Sequence, residues 1–426
     1  MRSVWRVFGG VLAVCLLGCG SSSVKPADRA GDRVEARPLS DRLAVRTTER
    51  GVVATGPMIA FGRHFPWRSP AIEVEPFQYV RLDLEMLGGG FVGVYSVNGA
   101  ATFGRSPASV RMPGRLVADD WTRFDAEENA GWAWRTYYSR ARCNAQAVGV
   151  EIAYGRARRL GLRRADRAEV ARWYDRLYAA MPPIAYRPSP DRFARLRRVH
   201  ARLRRGQDVK IVLVGDSIMN DTGNGGLDVM LERAWGYDLS EGEARPRVRL
   251  VTAVGSGAGM HHWSDDTSGG ARGRDLNLAQ GVLARKPDLV ILGGISTWGP
   301  SRVWMELIDK VRLGVEGRYG YWPDVMVMTG PFGSADRRPE EAAAADRLAR
   351  RAAAVRKIAD ERHAAFFDLK GAAEAYFDRY RADGGELRDL YRDRVHANHF
   401  GKQLLARLML ARLSPQAGDG RPDGRH

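Results

Sequence analysis

The fold class is decided by the stretch Val209-Lys210-Ile211-Val212-Leu213-Val214-Gly215-Asp216-Ser217, an apolar run that ends in a turn of small residues. A short apolar run rich in valine and isoleucine is typical of a buried strand. The turn predicts that Ser217 lies where the strand gives way to a helix, with its hydroxyl exposed above the sheet edge. Because open α/β sheets bind ligands at that edge, Ser217 is a candidate functional residue.

From this stretch onward the chain alternates strand and helix patterns. Five segments have the strand pattern: 209–214, 248–254, 289–292, 325–329 and 364–369. Helical patterns lie between them, most clearly over 339–361, and a final amphipathic helix is predicted over 401–413. The alternation predicts an α/β domain over 207–415, built on a doubly wound parallel five-stranded sheet with helices on both faces, in three layers.

Two further regions precede this domain. Residues 51–160 alternate short β-rich runs with Gly and Pro breaks, which predicts a small all-β sandwich of the jelly-roll type. Its tryptophans are candidates either for its core or for a platform that stacks on sugar rings. They are Trp67, Trp121, Trp132 and Trp134. Residues 161–206 are predicted to be a helical connector, with a helix capped by Asp166 and Glu169 and a second helix over 191–205.

An acid and an imidazole stand far downstream, in Asp393-Arg394-Val395-His396. A serine hydroxyl is a poor nucleophile unless a base removes its proton, and the base works best when a carboxylate fixes its tautomer. Ser217, His396 and Asp393 therefore predict a split Ser-His-Asp hydrolase site. The alternative is a metal pair of His396 with His399, but the chain has no His-Glu-x-x-His pattern and no cysteine cluster, so we expect no metal.

A glycine-rich segment, Gly255-Ser256-Gly257-Ala258-Gly259, follows the second predicted strand. A dinucleotide-binding fingerprint would need its third glycine one residue later and an acidic residue at the end of the next strand. Neither is present, so we expect no nucleotide and no other cofactor.

Taken in order, Gly215-Asp216-Ser217 and Asp393-Arg394-Val395-His396 resemble the first and last motifs of the SGNH, or GDSL-type, hydrolase superfamily, which includes carbohydrate esterases. The resemblance covers about half of the chain. It implies that Ser217 is the nucleophile, that His396 is the general base, and that Asp393 orients His396. It also implies an oxyanion hole made by the backbone N–H of Ser217, a glycine after the second strand and an asparagine after the third.

The second and third oxyanion donors are less well defined. The glycine has two candidates, Gly257 and Gly259. Where the family has Gly-x-Asn-Asp, this chain has Gly294-Ile295-Ser296-Thr297, so the asparagine is missing. We predict Ser296 or Asn220 as its replacement; Asn220 stands one helical turn after the nucleophile.

Aromatic residues follow the predicted strands as well. Trp263 and Trp298 lie in loops that we expect to open on the edge that holds Ser217. Indole rings there are predicted to stack on sugar rings and hold an ester near the hydroxyl, with a lid or core role as the alternative.

The N-terminal segment predicts export. Residues 1–19 carry two arginines and an apolar stretch over 7–17, which is too short to span a bilayer and is shaped like a secretory signal. Its end, Leu16-Leu17-Gly18-Cys19, resembles a bacterial lipobox, which implies cleavage before Cys19, lipidation of Cys19, and outer-membrane sorting because Gly20 follows. An ordinary signal peptide is the alternative. Residues 20–50 are predicted to be a flexible tether and 416–426 a mobile tail.

The net charge indicates which kinds of partner to expect. A formal net charge of +17 favours anionic neighbours such as an acidic polysaccharide. No nucleic-acid recognition motif is present, so we expect no nucleic-acid partner. These features together predict a lipid-anchored serine esterase of the cell envelope that removes O-acyl groups, acetyl above all, from a carbohydrate. The alternatives are a glycan O-acyltransferase with the same triad, and a non-catalytic glycan-binding surface lipoprotein.

Overall fold

The structure is a computed structural model that describes residues 44–48, 51–61, 67–98, 120–124, 132–143, 145–239, 246–255, 258–264, 278–294, 301–330, 342–393 and 395–415. The predicted signal with Cys19, most of the predicted tether and the predicted tail lie outside these residues. No helix in the described ranges combines the length and the hydropathy that crossing a membrane requires.

Antiparallel strands make up the first part of the described chain, and they are joined in one hydrogen-bonded sheet. They are β1 (Ala44–Thr48), β2 (Gly51–Phe61), β3 (Trp67–Arg68), β4 (Ile72–Glu73), β5 (Tyr79–Asn98), β6 (Asp120–Phe124), β7 (Trp132–Arg140) and β8 (Ala145–Ala165). The two longest strands, β5 and β8, pair with each other from end to end. Strands β2, β3 and β4 pair with β8, whereas β6 and β7 pair with β5.

This antiparallel region differs from its prediction in three respects. The strands are linked through β5 and β8 into one sheet rather than two separately bonded sheets, because each long strand offers both edges to partners. Strand β8 runs on to Ala165, past the predicted boundary at 160, because its end pairs with Tyr79 at the start of β5. Strand β1 lies within the predicted tether, where it pairs with β2 in an antiparallel ladder.

Two helices connect the sheets, and one of them begins as predicted. Helix α1 (Arg167–Ala179) starts after Asp166, whose side chain accepts a hydrogen bond from the Glu169 N–H at 2.6 Å, so the Asp166 half of the predicted cap is confirmed. The Glu169 carboxylate binds Arg81, Tyr138 and Arg163 instead of closing the capping box. Helix α2 (Arg197–Arg204) is shorter than the predicted helix over 191–205. The residues before it form turns instead, with the Ala194 N–H donating to the Asp191 carbonyl at 2.7 Å.

The second part of the chain forms a parallel sheet of five strands, as predicted. They are β9 (Val209–Gly215), β10 (Val248–Val254), β11 (Leu289–Gly293), β12 (Asp324–Met328) and β13 (Ala365–Phe367), in the order β10-β9-β11-β12-β13. The described helices of this part are α3 (Ser217–Gly223), α4 (Leu227–Ala234), α5 (Met260–Ser264), α6 (Leu278–Gly281), α7 (Ser301–Tyr319), α8 (Ala342–Glu361), α9 (Leu369–Ala382) and α10 (His399–Leu413). Strand order reverses at β9, so the switch point of the sheet lies at the end of β9.

Alternation along β9 explains why helices cover both faces of this sheet. Ile211 and Leu213 belong to one apolar cluster with residues of α4, α9 and α10. Val212 belongs to a second cluster, which contains Trp304 and Ile308 of α7. Because successive side chains of a strand point to opposite faces, a continuous run of apolar residues requires cover on both sides.

Candidate active site

Local sequence explains the position of Ser217. Strand β9 ends at Gly215, where a Cβ would lie 2.0 Å from the carbonyl oxygen of Gly293 at the end of β11, so only glycine allows the two strand ends to approach this closely. Asp216 then caps α3, because its carboxylate accepts a hydrogen bond from the Ile218 N–H at 3.0 Å. Ser217 is the first residue of α3 and is half-buried at the switch point of the sheet.

The structure brings the three predicted triad residues together. The Ser217 hydroxyl lies 2.8 Å from Nε2 of His396. On the other side of the ring, Nδ1 of His396 lies 2.8 Å from Oδ2 and 3.0 Å from Oδ1 of Asp393. These are hydrogen-bond distances in the order that a Ser-His-Asp relay requires, with the base between the alcohol and the carboxylate.

Asp393 is held in its ionised form. Burial alone would raise its pKa, but the hydrogen bond and charge of His396, together with the backbone N–H groups of Val395 and His396, hold the pKa of Asp393 well below its ordinary value. Those two N–H groups donate to Oδ1 at 3.0 and 2.9 Å. A charged carboxylate against Nδ1 keeps the imidazole proton on Nδ1, which leaves Nε2 to accept the proton of Ser217.

A buried ion pair that the sequence prediction missed ties the serine helix to the acid–base loop. Asp221 lies four residues after Ser217 on α3 and is 1% exposed. One of its carboxylate oxygens accepts from Arg392 at 2.8 Å and the other from the Ala397 N–H at 3.0 Å. Arg392 also donates to the Ala397 carbonyl at 2.7 Å, so the carboxylate binds the chain on both sides of His396. We call this arrangement the Asp221–Arg392 clamp.

The antiparallel region supports the same loop from the other side. His399, at the start of α10, has its Nδ1 2.9 Å from the hydroxyl of Thr122 on β6. Burial, followed by the charges of Lys402 and Arg135, lowers the pKa of His399 to about 3, so its ring is neutral. Among the described residues, no group of three His, Cys, Asp or Glu side chains is arranged to hold a metal ion.

One buried lysine connects the two regions. The ammonium group of Lys402 on α10 bonds to the Asp120 carboxylate of β6, and it lies 2.9 Å from the hydroxyl of Tyr137 on β7. That hydroxyl in turn donates to Asp120 at 2.9 Å. Helix α10, which follows His396 directly, is therefore anchored to two strands of the antiparallel sheet.

The predicted oxyanion donors have different surroundings. Gly257 and Ser296 lie outside the described residues. The Gly259 N–H donates to Nδ1 of His262 at 2.9 Å, so this donor is engaged within its own loop. Asn220 is 9% exposed and lines a small polar cavity beside the antiparallel region, together with Asn224. The assignment of Gly257, Gly259, Ser296 and Asn220 to an oxyanion hole stays a prediction.

Trp263 does not occupy the place predicted for it. It is 2% exposed and belongs to the apolar cluster of α7, together with Val212 and Trp304. Helix α5 packs on α7, and this burial removes the indole from solvent, so it offers no ring face to a sugar. The prediction of a substrate platform at Trp263 is therefore wrong, and Trp298 lies outside the described residues.

Known proteins resemble this chain only distantly. No protein-family model matches the chain, and no curated protein matches it. Among solved structures, it is similar to an acetyl xylan esterase, at 21% identity over 48% of this chain and 98% of the other, with a TM-score of 0.35. A two-domain esterase active on acetylated mannans is 17% identical over 56% of this chain and 58% of the other, with a TM-score of 0.36. A family two carbohydrate esterase from Cellvibrio japonicus is 12% identical over 76% and 87%, with a TM-score of 0.25. At such identities and TM-scores, the chemistry of this chain has to be derived from its own side chains.

Proposed function

We propose that this chain is a serine esterase that removes O-acetyl groups from a carbohydrate. The observation that carries the proposal is the continuous hydrogen-bonded series from the Ser217 hydroxyl through His396 to Asp393. An alcohol, an imidazole and a carboxylate in this order activate the alcohol toward an ester carbonyl. Ser217 is 179 positions away from His396, so the meeting of the serine with the Asp393–His396 loop is a property of the fold.

The reaction proceeds in two halves. Ser217 Oγ attacks the ester carbonyl carbon while its proton passes to Nε2 of His396, and the resulting tetrahedral intermediate breaks its bond to the sugar oxygen. His396 returns the proton to that oxygen, so the free sugar hydroxyl departs. A water then attacks the acetyl-serine ester and gives its proton to His396. Release of acetate returns that proton to Ser217.

The exposure of the triad supports a substrate ester in which the acyl group is small and the alcohol is a polymer. The side chain of His396 is 25% exposed and that of Asp393 is 36% exposed. A site this open leaves room for a polymer to lie across it, whereas a long acyl chain would need an apolar tunnel to remove its surface from water. The negative charge of the tetrahedral intermediate is assigned to the Ser217 N–H and to the oxyanion donors predicted from the sequence.

Location in the cell envelope belongs to the same proposal. Its support is the signal-like segment over 1–19 and the lipobox-like Leu16-Leu17-Gly18-Cys19. A lipid on Cys19 would keep the enzyme close to envelope polysaccharides, where an acetylated glycan is available. Labelling with a radioactive fatty acid, with Cys19→Ala as control, tests the anchor independently of the chemistry.

Acetate release from an acetylated polysaccharide tests the esterase itself. We expect wild-type protein to release free acetate and Ser217→Ala to lose about 10⁴-fold or more in kcat. The melting temperature should stay close to that of wild type, because a half-buried hydroxyl contributes little to stability. Transfer of the acetyl group to an added glycan instead of water would identify an acyltransferase. Equal rates for the two proteins would reject Ser217 as the nucleophile.

A further inference from the structure

The antiparallel region contains a groove that the esterase site does not use. Its volume is about 590 Å³, and it lies over the middle of β8 between β2, β5 and β6. The side chains that line it include Phe91, Phe124, Tyr154, Arg123 and Arg156. No aspartate or glutamate is among the described residues that line it.

Glycines create this groove. Between the pairs Leu87↔Arg156 and Phe91↔Tyr154, strand β5 has the three glycines Gly88, Gly89 and Gly90 opposite the single Gly155 of β8. Extra residues on one strand form a bulge that bends the sheet. Gly88 has φ of 67° and Gly155 has φ of 123°, and a Cβ on Gly155 would lie 3.1 Å from the Gly90 Cα. Glycine at these places lets the two backbones approach and opens a concave surface.

Aromatic rings give the groove an exposed apolar surface. Tyr154 is 61% exposed, although its neighbours in β8, Ile152 and Ala153, are buried. Phe91 and the largely buried Phe124 line the same groove. An exposed flat ring beside a concave surface suits the apolar face of a sugar.

Charge indicates which sugars would fit. The backbone of Arg156 is paired within the sheet, but its side chain is exposed and makes no hydrogen bond or ion pair to another described residue. Arg123 lines the same groove. Arg158 and Arg159 stand beside the groove and share the Glu85 carboxylate, which partly neutralises them. Guanidinium groups bind carboxylates in a fixed bidentate geometry, so Arg156 favours a ligand that carries carboxylates.

We propose that this groove is a second glycan-binding site, specific for an acidic polysaccharide whose uronate carboxylates bind Arg156 and whose sugar rings stack on Tyr154. The groove is close to the triad loop, because the Phe124 ring also contacts the ring of His399, with centroids 5.8 Å apart. A chain held here remains beside the loop that carries His396. The site is independent of the esterase proposal, since it binds the polymer whether or not Ser217 cleaves an ester.

Affinity electrophoresis in gels containing polygalacturonate tests this site, with neutral galactan gels for comparison. Ser217→Ala protein is used as the parent, so that hydrolysis does not alter the polymer. We expect the parent to be retarded by polygalacturonate and not by galactan. Adding Tyr154→Ala should weaken the affinity about tenfold, which corresponds to the loss of one stacking contact. Adding Arg156→Gln should weaken it by a similar factor.

Two matched variants separate a specific site from general attraction to a basic protein. Trp322→Ala removes another exposed aromatic side chain, 53% exposed, from the parallel-sheet region, and Arg302→Gln removes another exposed arginine from α7. Both should keep the parent's affinity.

The proposal is overturned if the parent is not retarded by polygalacturonate, if galactan retards it equally, or if the matched variants lose as much affinity as the groove variants. If Tyr154→Ala lowers the melting temperature, only the affinity of Arg156→Gln is used to judge the groove. The Arg156 side chain is exposed and supports no packing, so its removal should not affect folding. Acetate release by wild-type protein is a separate measurement, so a failure of one proposal leaves the other intact.

Discussion

The two sheets of this protein use their polar groups in opposite ways. At the edge of the parallel sheet, Ser217, His396 and Asp393 form a relay that is partly exposed to solvent. In the antiparallel sheet, the Asp120 carboxylate is turned inward and pairs with Lys402, and both side chains are at most 3% exposed. The partly exposed groups have the geometry of a proton relay, whereas the buried pair joins α10 to the antiparallel sheet.

Because of this difference, substitutions in the relay and substitutions in the buried pairs should be detected by different measurements. Substitution in the relay should lower kcat with little loss of stability, because exposed polar groups contribute little to folding. Substitution in the buried pairs should lower stability first, because an unpaired buried charge is costly.

Replacing the relay carboxylate should give the largest effect after Ser217 itself. We expect Asp393→Asn to lower kcat about 10³- to 10⁴-fold, because an amide no longer holds the proton of His396 on Nδ1 or stabilises the imidazolium. Steady-state kinetics on an acetylated substrate would measure this. A kcat within a few-fold of wild type would show that Asp393 is no part of the relay.

The Asp221–Arg392 clamp should affect both kcat and stability. We expect Asp221→Ala to reduce the free energy of unfolding by about 3 to 5 kcal/mol, because Arg392 is left buried without its partner. We also expect kcat to fall about 10- to 100-fold with KM unchanged, since the clamp acts through the position of His396 and not through substrate.

The double variant Asp221→Ala/Arg392→Met separates these two consequences. It removes the unpaired charge, so stability should partly recover. The Ala397 N–H still lacks its anchor, so kcat should stay low. Recovery of kcat along with stability would show that the clamp has only a structural role.

The lysine that joins the two regions should matter mainly for stability. We expect Lys402→Met to reduce the free energy of unfolding by about 3 kcal/mol, because Asp120 loses its buried cation. Urea denaturation would measure the loss. The double variant Lys402→Met/Asp120→Leu should regain most of it, and a double variant no more stable than the single one would argue against an unpaired charge as the cause.

The smallest effect is expected at Glu169 on α1, which binds strands β5, β7 and β8. Burial would raise its pKa, but Arg163, Tyr138 and Arg81 lower the pKa of Glu169 from 4.5 to about 2. Its contribution to stability is therefore present above about pH 4.5 and is lost as pH falls toward 2. Glu169→Gln should cost about 1 to 2 kcal/mol at neutral pH.

Urea denaturation at two pH values tests whether the contribution of Glu169 to stability falls as the pH falls. At pH 3 part of the stabilisation by Glu169 is lost in wild-type protein. The difference in free energy of unfolding between wild type and Glu169→Gln should therefore be smaller at pH 3 than at pH 7. If that difference is equal or larger at pH 3, the lowered pKa of Glu169 does not stabilise the folded protein as described. Leu313→Ala, which removes an exposed and uncharged side chain from α7, serves as the control that should show no such change.

Much of the parallel-sheet region was predictable, because its signals are local. An apolar run predicts a buried strand wherever it packs, and strands β9 to β13 begin and end within a few residues of their predicted limits. The position of Ser217 follows from the small residues before it, since Gly215 and Asp216 make the turn and the cap. Asp393 and His396 are close in sequence, so their contact needs only a short loop.

The sequence prediction missed residues whose partners are distant. Asp221 stands one helical turn after Ser217 and Arg392 stands directly before Asp393, so two charges beside the two motifs were a usable signal. Nothing local reveals that they pair, or that Lys402 reaches Asp120 across 282 positions. Trp263 was misjudged for the same reason: an aromatic residue after a strand faces either solvent or a helix, and the packing of α5 on α7 decides which.

By itself, the amino-acid sequence determined the kinds of element, the serine turn and the candidate acid and base, because these depend on backbone propensity and on residues near each other in the chain. Only the tertiary structure decided three further features. Ser217 and His396, 179 positions apart, lie 2.8 Å from each other; the antiparallel strands join in one sheet; and buried side chains of that sheet contact the helix that follows the Asp393–His396 loop. These outcomes depend on which distant surfaces pack together, and that is set by burial and charge pairing over the whole chain.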